Sequence, residues 1–262
     1  MNPNPPALPE HDRVVVLSAL TVLVLLAWSY LFWVQHRMAA PMPDMPGMSM
    51  MDMPAQWDFP YFLFMLGMWT VMMVGMMTPS VSPMILIFAR VAAQAEAKGV
   101  IFASAGWFAG GYLLAWFAFS LAATVAQYAL DRAALLSPPM ALNNRFLIAA
   151  FLAAAGVYQL TPLKRACLAS CRAPLAFIQR HGGFKPGAGA ALKLGLLHGI
   201  YCVGCCWVLM ALLFVGGVMN PVWIAGLMVF VLAEKVLPLE PYISGLAGAA
   251  ALAAAGWLAL MP

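Results

Sequence analysis

Seven long apolar runs, at about residues 14–34, 60–80, 100–130, 142–160, 194–218, 221–237 and 242–260, constrain this chain more than any other feature. A run of roughly 18 or more apolar residues is long enough to cross a bilayer as a helix. Only 8% of the 262 residues are charged and 65% are hydrophobic, so polar side chains are too few to cover a globule and the outer surface must face lipid. The expected fold is all-α: a polytopic membrane bundle of about seven transmembrane helices, placed in a bacterial inner (cytoplasmic) membrane, with the lipid bilayer as its first partner. The first run is too long for a signal-peptide core and lacks a small-residue cleavage site, so it reads as a retained helix. Pro79 and Pro83 are expected to break or kink the second. The net charge of +4 is spread over loops and excludes a nucleic-acid partner, and five cysteines do not make a disulfide scaffold.

Orientation follows from lysine and arginine. With the N-terminus inside, ten of the 13 fall on inner segments, and only Arg37, Arg132 and Arg145 fall outside. The bias predicts N-terminus in and C-terminus out. Trp28, Tyr30, Trp33, Trp57 and Tyr61 form an aromatic belt at the outer end of the first two spans. Glycine pairs at helix-packing spacing, Gly106 with Gly110 and Gly195 with Gly199, predict close helix approach, as do Gly245, Gly248 and Gly256 in the last span. The chain divides into a tail and first helix (1–34), a Met-rich periplasmic loop (35–59) and a metal-binding helix bundle (60–262).

Methionine is the second anomaly. Of 20 in the chain, 14 lie between Met38 and Met84. The outer loop carries His36, Met38, Met42, Met45, Met48, Met50, Met51 and Met53, interrupted by Pro41, Pro43, Pro46, Gly47 and Pro54, which argue against helix or strand. A thioether is a soft neutral donor suited to Cu(I) and needs no deprotonation to bind. His36, Asp44 and Asp52 add harder donors for Cu(II). The alternative is a loop in which methionine serves only as a flexible hydrophobe. In the next span Met65, Met68, Met72, Met73, Met76 and Met77 sit within 13 residues, with Met65, Met72 and Met76 inside about 40° of one helix face. They read as a ladder running inward, or as ordinary gap-filling side chains.

The segment from His198 to Trp207 is the sharpest feature. His198, Cys202 and Cys205 stand at i, i+4 and i+7, within about 60° on one face, and Cys206 borders them. An ionisable histidine inside an apolar span marks a functional site by default, and imidazole with thiolates is the donor set of Cu(I) or Zn(II). The alternative is a hydrogen-bonded histidine among small hydrophobic thiols. Cys167 and Cys171, one turn apart in a segment read as an inner loop, lie beside Lys164, Arg165 and Arg172, cations that favour thiolate. Glu234 is a candidate ligand or proton acceptor, or half of an ion pair with Lys235.

These residues carry a resemblance. Met68-Trp69-Thr70-Val71-Met72-Met73 with Met76-Met77-Thr78-Pro79-Ser80, then Tyr158-Gln159-Leu160-Thr161-Pro162-Leu163-Lys164 with Cys167 and Cys171-Arg172, then Gly195 through Cys206-Trp207, and Glu234-Lys235, together resemble a bacterial family known only as predicted metal-binding integral membrane proteins of unknown function. The resemblance covers residues 60–237. It implies that Cys167, Cys171, His198, Cys202, Cys205, Cys206 and the methionines of the second span, Met72, Met73, Met76 and Met77 among them, match the family motif. It supplies no reaction, and the Met-rich loop lies outside it.

The leading expectation is a protein that captures, stores or relays copper as Cu(I), with zinc and silver open. A copper chaperone or a larger membrane complex is the expected protein partner. Other readings are a membrane thiol–disulfide oxidoreductase or a metal-dependent membrane oxidase using the Cys202/Cys205 and Cys167/Cys171 pairs. The balance leans away from an enzyme, and the absence of a G-x4-G-K-[ST] loop removes a nucleotide-driven pump.

Overall fold

A computed structural model of the protein describes residues 10–42, 45–49, 56–96, 99, 103–137, 140–238 and 240–261. It is all-α apart from two small hairpins. Helix α1 (Glu10–Ala39) leads into the first hairpin, β1 (Pro41–Met42) with β2 (Met45–Ser49), and then α2 (Phe59–Glu96) and α3 (Ala105–Arg132). A second hairpin, β3 (Leu136–Ser137) with β4 (Ala141–Leu142), precedes α4 (Arg145–Gln159), α5 (Pro162–Arg172) and α6 (Pro174–Arg180). The remainder is α7 (Ala188–Ala211), a single turn α8 (Leu213–Gly216), α9 (Pro221–Val236) and α10 (Glu240–Leu260).

Five of these helices are long and apolar enough to cross a membrane: α1, α2, α3, α7 with α8, and α10. The pair α4–α5, bent by 64°, makes a sixth if it counts as one span. That is fewer than the seven passes read from the sequence. Helix α9 has 16 residues and rises only about 24 Å, short of a hydrocarbon core of about 30 Å. Helix α1 packs on α2 and leaves Val14, Val22, Leu25 and Leu26 exposed, an apolar outer surface compatible with membrane association.

The prolines do not break α2. A proline cannot donate to the carbonyl four residues back, which for Pro83 is that of Pro79. The Ser82 hydroxyl donates to that oxygen at 2.8 Å, and Thr78 and Ser80 hydroxyls donate to Val74 and Met77 carbonyls. Hydroxyls at the break thus keep one helix running from Phe59 to Glu96.

Two other breaks are made locally. After Gln159 the pre-proline residue Thr161 cannot stay helical. Its side chain instead caps α5 by accepting from the Lys164 N–H, and Pro162 occupies the first helical turn, where no donor is needed. Asn144 and Asn220 cap α4 and α9 in the same way. The segment expected to be an inner loop is therefore helix α5, folded back against α7.

Glycines set the tightest crossing, α3 on α7. A Cβ at Gly195 would run into the Phe108 carbonyl, one at Gly199 into Ala115, and one at Gly111 into the Leu192 carbonyl. Gly195 and Gly199 act as their spacing suggested. On α3 the close backbone contact falls to Gly111, because Gly110 meets only the tip of the Leu192 side chain at 3.8 Å and Gly106 only Ser104 of its own segment. Gly248 meets Gly156 of α4, whereas Gly245 and Gly256 face open space.

The outer loop also departs from expectation. Helix α1 continues through His36 to Ala39, which buries Met38 in the core and leaves His36 exposed. Beyond it a hairpin pairs Pro41 with Ser49 and Met42 with Met45. A two-stranded ribbon is all edge, so its prolines need not donate to a neighbour. The hairpin carries the backbone of Met42, Met45 and Met48, while Met50, Met51 and Met53 lie outside the described residues.

Candidate metal centre

Five helices converge on Cys202. Their side chains are Cys171 from α5, Cys202 and Cys205 from α7, Lys235 from α9, Tyr112 from α3 and Ser80 from α2. The Sγ atoms of Cys171, Cys202 and Cys205 all lie within 4.8 Å of one another. Cys202 and Cys205 are buried, and all five cysteines are free thiols. The helix period puts Cys202 and Cys205 on one face. The Thr161–Pro162 break brings α5 across that face, so Cys171 closes the triangle from the other side. Cys205 and Cys206 thiols donate to the Cys202 carbonyl at 3.0 and 3.1 Å, which keeps Cys206 at the border.

Lys235 Nζ lies 2.9 Å from Cys202 Sγ and donates to Ser80 Oγ at 3.0 Å. The Tyr112 hydroxyl reaches Cys202 Sγ at 3.1 Å and the Met77 carbonyl at 3.2 Å. A buried thiol group thus has a cation and a hydroxyl on one side, both able to offset negative charge at sulfur. The Tyr112 bond to Met77 also ties the Met77 end of the methionine line to the thiols.

Met65, Met68, Met72, Met73, Met76 and Met77 are all buried, none more than 2% exposed. They line the contact surface of α2 with the bundle, a placement that a ladder and gap-filling side chains share. Met65 to Met77 spans about 18 Å of helix rise.

His198 is buried one turn before Cys202, ringed by Phe177, Phe108 and Tyr112 with centroids 5.0, 6.0 and 6.0 Å away. Its Nδ1 has no hydrogen-bond partner among the described residues. It stands beside the thiol triangle, whose third member is Cys171. Cys167, a turn earlier on α5, faces Gly204, where a Cβ would come within 3.0 Å of its sulfur. The two cysteines of α5 therefore have different surroundings.

Glu234 does not pair with Lys235. Consecutive residues on α9 point apart: Lys235 turns to the thiols, and Glu234 forms a buried ion pair with Lys164 of α5. Gln159 donates to the same Glu234 oxygen at 3.1 Å and Ser244 of α10 at 2.7 Å, and Lys164 also donates to Gln159. Lys164 is therefore not a cation beside Cys167, and Arg172 donates to the Leu237 carbonyl at 2.7 Å. The positive charge at the thiols comes instead from Lys235. Sequence reasoning missed Lys235, Tyr112 and the Lys164 cluster. The available signal was two adjacent ionisable residues, Glu234 and Lys235, at the end of an apolar helix, where each needs its own partner.

Three thiols with a buried histidine alongside and a line of thioethers leading to them form a soft donor set, fit for a soft cation and poorly suited to Mg²⁺ or Ca²⁺. Fold and site together define a helical, metal-binding protein whose donors meet inside an apolar bundle. The model of the family described as PpoB2: Copper chaperone matches residues 66–258, and the chain belongs to that family. The match begins within α2 and ends within α10, leaving α1 and the Met-rich hairpin outside it. Comparison with curated proteins and with solved structures gives no match.

Proposed function

We propose that the protein binds Cu(I) as cargo and relays or holds it within a bacterial inner membrane. The observation that carries this reading is the Cys171–Cys202–Cys205 triangle, in a chain of the copper-chaperone family. In this account the methionines of residues 42–53 and His36 collect the ion outside. Met72, Met73, Met76 and Met77 carry it along α2, and the thiols hold it most tightly, with Cys206, Cys167 and His198 at the margins of the site. Affinity rises from neutral thioether to thiolate, which favours inward movement or storage. Ag(I) shares this chemistry, and Zn(II) competes for the thiolates.

The bundle is proposed to cross the membrane seven times, with α4 and α9 as two short passes around which the bilayer thins, residues 35–59 outside and the turn between α6 and α7 on the cytoplasmic side. The region 35–59 acts as a collecting segment and 60–262 as the metal-binding bundle. Lys235 supplies charge compensation: a Cu(I) ion held by thiolates is a net anion, and the ammonium beside Cys202 offsets it in a medium where an unpaired charge is costly. The protein partner is a copper-requiring or copper-carrying protein, as the chaperone family name suggests.

The test is copper stoichiometry after anaerobic reconstitution of the purified protein. One equivalent per chain is expected, lost when Cys202 and Cys205 are both replaced by serine. Protein that retains no copper refutes the reading.

A further inference from the structure

A buried primary amide at the outer end of α3 is bracketed by sulfur. Gln127 is 1% exposed, and its Oε1 accepts from the indole Nε1 of Trp69 at 2.7 Å. Indole nitrogen can only donate, so this bond fixes which end of the amide is oxygen and forces Nε2 the other way. There Nε2 meets Met140 Sδ at 3.1 Å and Met65 Sδ at 3.6 Å. A thioether is a weak acceptor, a poor match for a buried amide that would usually face oxygen.

The two sulfurs come from unrelated parts of the chain. Met65 sits on α2, fully buried, at the outer start of the methionine line. Met140 occupies the turn between β3 and β4, with φ at +61°. For a non-glycine residue that conformation costs on the order of 1 kcal/mol. Its carbonyl accepts from Val218 N–H at 3.5 Å, which pins the turn to the bundle. A turn held in a costly conformation thus brings a second thioether to the one at Met65.

We infer that Met65 and Met140 form a separate, weaker soft-metal site, a loading site for Cu(I) or Ag(I) between the outer methionine segment and the α2 ladder, with the Gln127 amide holding the sulfurs together until the ion arrives. Two neutral thioethers suit a monovalent soft cation and offer nothing to Zn(II) or Mg(II) that would hold either. The site therefore selects the ion before it reaches the thiols, which bind Zn(II) as well. This inference rests on the proposed passage of copper along α2. It differs from that proposal in placing at Met140, which no helix periodicity joins to the ladder, a transient stop that empties into the thiols once loading is complete.

The test uses full-length protein with all five cysteines replaced by serine, titrated with Ag(I) in detergent. Bound equivalents are compared with and without Met65→Leu and Met140→Leu. The expected result is one equivalent fewer in the leucine protein. In the cysteine-intact chain the same two changes leave final copper content unchanged and slow its acquisition by about tenfold, equivalent to ~1.4 kcal/mol in barrier. Equal Ag(I) binding with and without the leucines overturns the site. If the doubly substituted chain does not fold, Met140→Leu alone, on a half-buried turn, gives the same readout, and unaltered Ag(I) affinity there is equally fatal. Failure of the cysteine-intact protein to bind copper refutes the thiol centre instead, and the Ag(I) titration still decides the methionine pair.

Discussion

Replacing Lys164 with methionine removes a cation from a place water does not reach. Lys164 is fully buried and Glu234 is 1% exposed, so the carboxylate left behind keeps only the donors Gln159 at 3.1 Å and Ser244 at 2.7 Å. Orphaning one member of a buried ion pair costs about 3–5 kcal/mol. The two surviving hydrogen bonds soften that loss, each worth about 1.5–3 kcal/mol to a charged group. We therefore expect about 3 kcal/mol of destabilisation, roughly a hundredfold in the folding equilibrium. Lys164→Met/Glu234→Gln discharges the site while keeping polar partners for Ser244 and Gln159, and should lie within about 1 kcal/mol of the parent. The assay is a double-mutant cycle on reversible unfolding in mixed micelles, which isolates the pairwise energy. Lys164 and Cys171 share α5, so Cu(I) affinity, measured against a competing chelator, should fall in the single variant and return in the double. Additive single costs, or a Lys164→Met penalty under about 1 kcal/mol, would refute the clamp.

Other outcomes follow from the same geometry. Lys235→Met should weaken Cu(I) binding by about tenfold or more by removing the charge beside Cys202, read by chelator competition; unchanged affinity would show that the ammonium plays no part. Thiols must shed protons to hold the ion, so Cu(I) affinity should rise with pH and loading should release protons, counted with an indicator dye. Gly195→Ala should destabilise the bundle by about 1–3 kcal/mol, because the new methyl meets the Phe108 backbone rather than a movable side chain. Gly245→Ala, facing open space, should be silent in the same unfolding assay.

The sequence announces apolar helices because their length and lack of charge are local properties. It also announces the face shared by Cys202 and Cys205, because a single helix period decides it. It does not announce Cys171 as their partner. That depends on Thr161–Pro162 ending α4 and on a 64° bend between α4 and α5, a tertiary direction that the signal for a break leaves open. The same fold-back explains why Lys164 reads as a loop cation but is a core residue. Glu234 and Lys235 look like each other's partner in one dimension, yet adjacent helical residues diverge by about 100° and each meets a different neighbour. The outer loop misled in a different way. Proline density argues against regular structure, but a ribbon with free edges on both sides tolerates it.

The central claim is that Cys171, Cys202 and Cys205 hold copper together, although one of them lies over 30 residues from the other two in sequence. X-ray absorption at the copper edge, on anaerobically loaded protein, tests it most directly. The account predicts one Cu(I) per chain in an all-sulfur environment, and a changed coordination and weaker retention in Cys171→Ser. A copper environment dominated by nitrogen or oxygen, or a spectrum indifferent to Cys171→Ser, would contradict it.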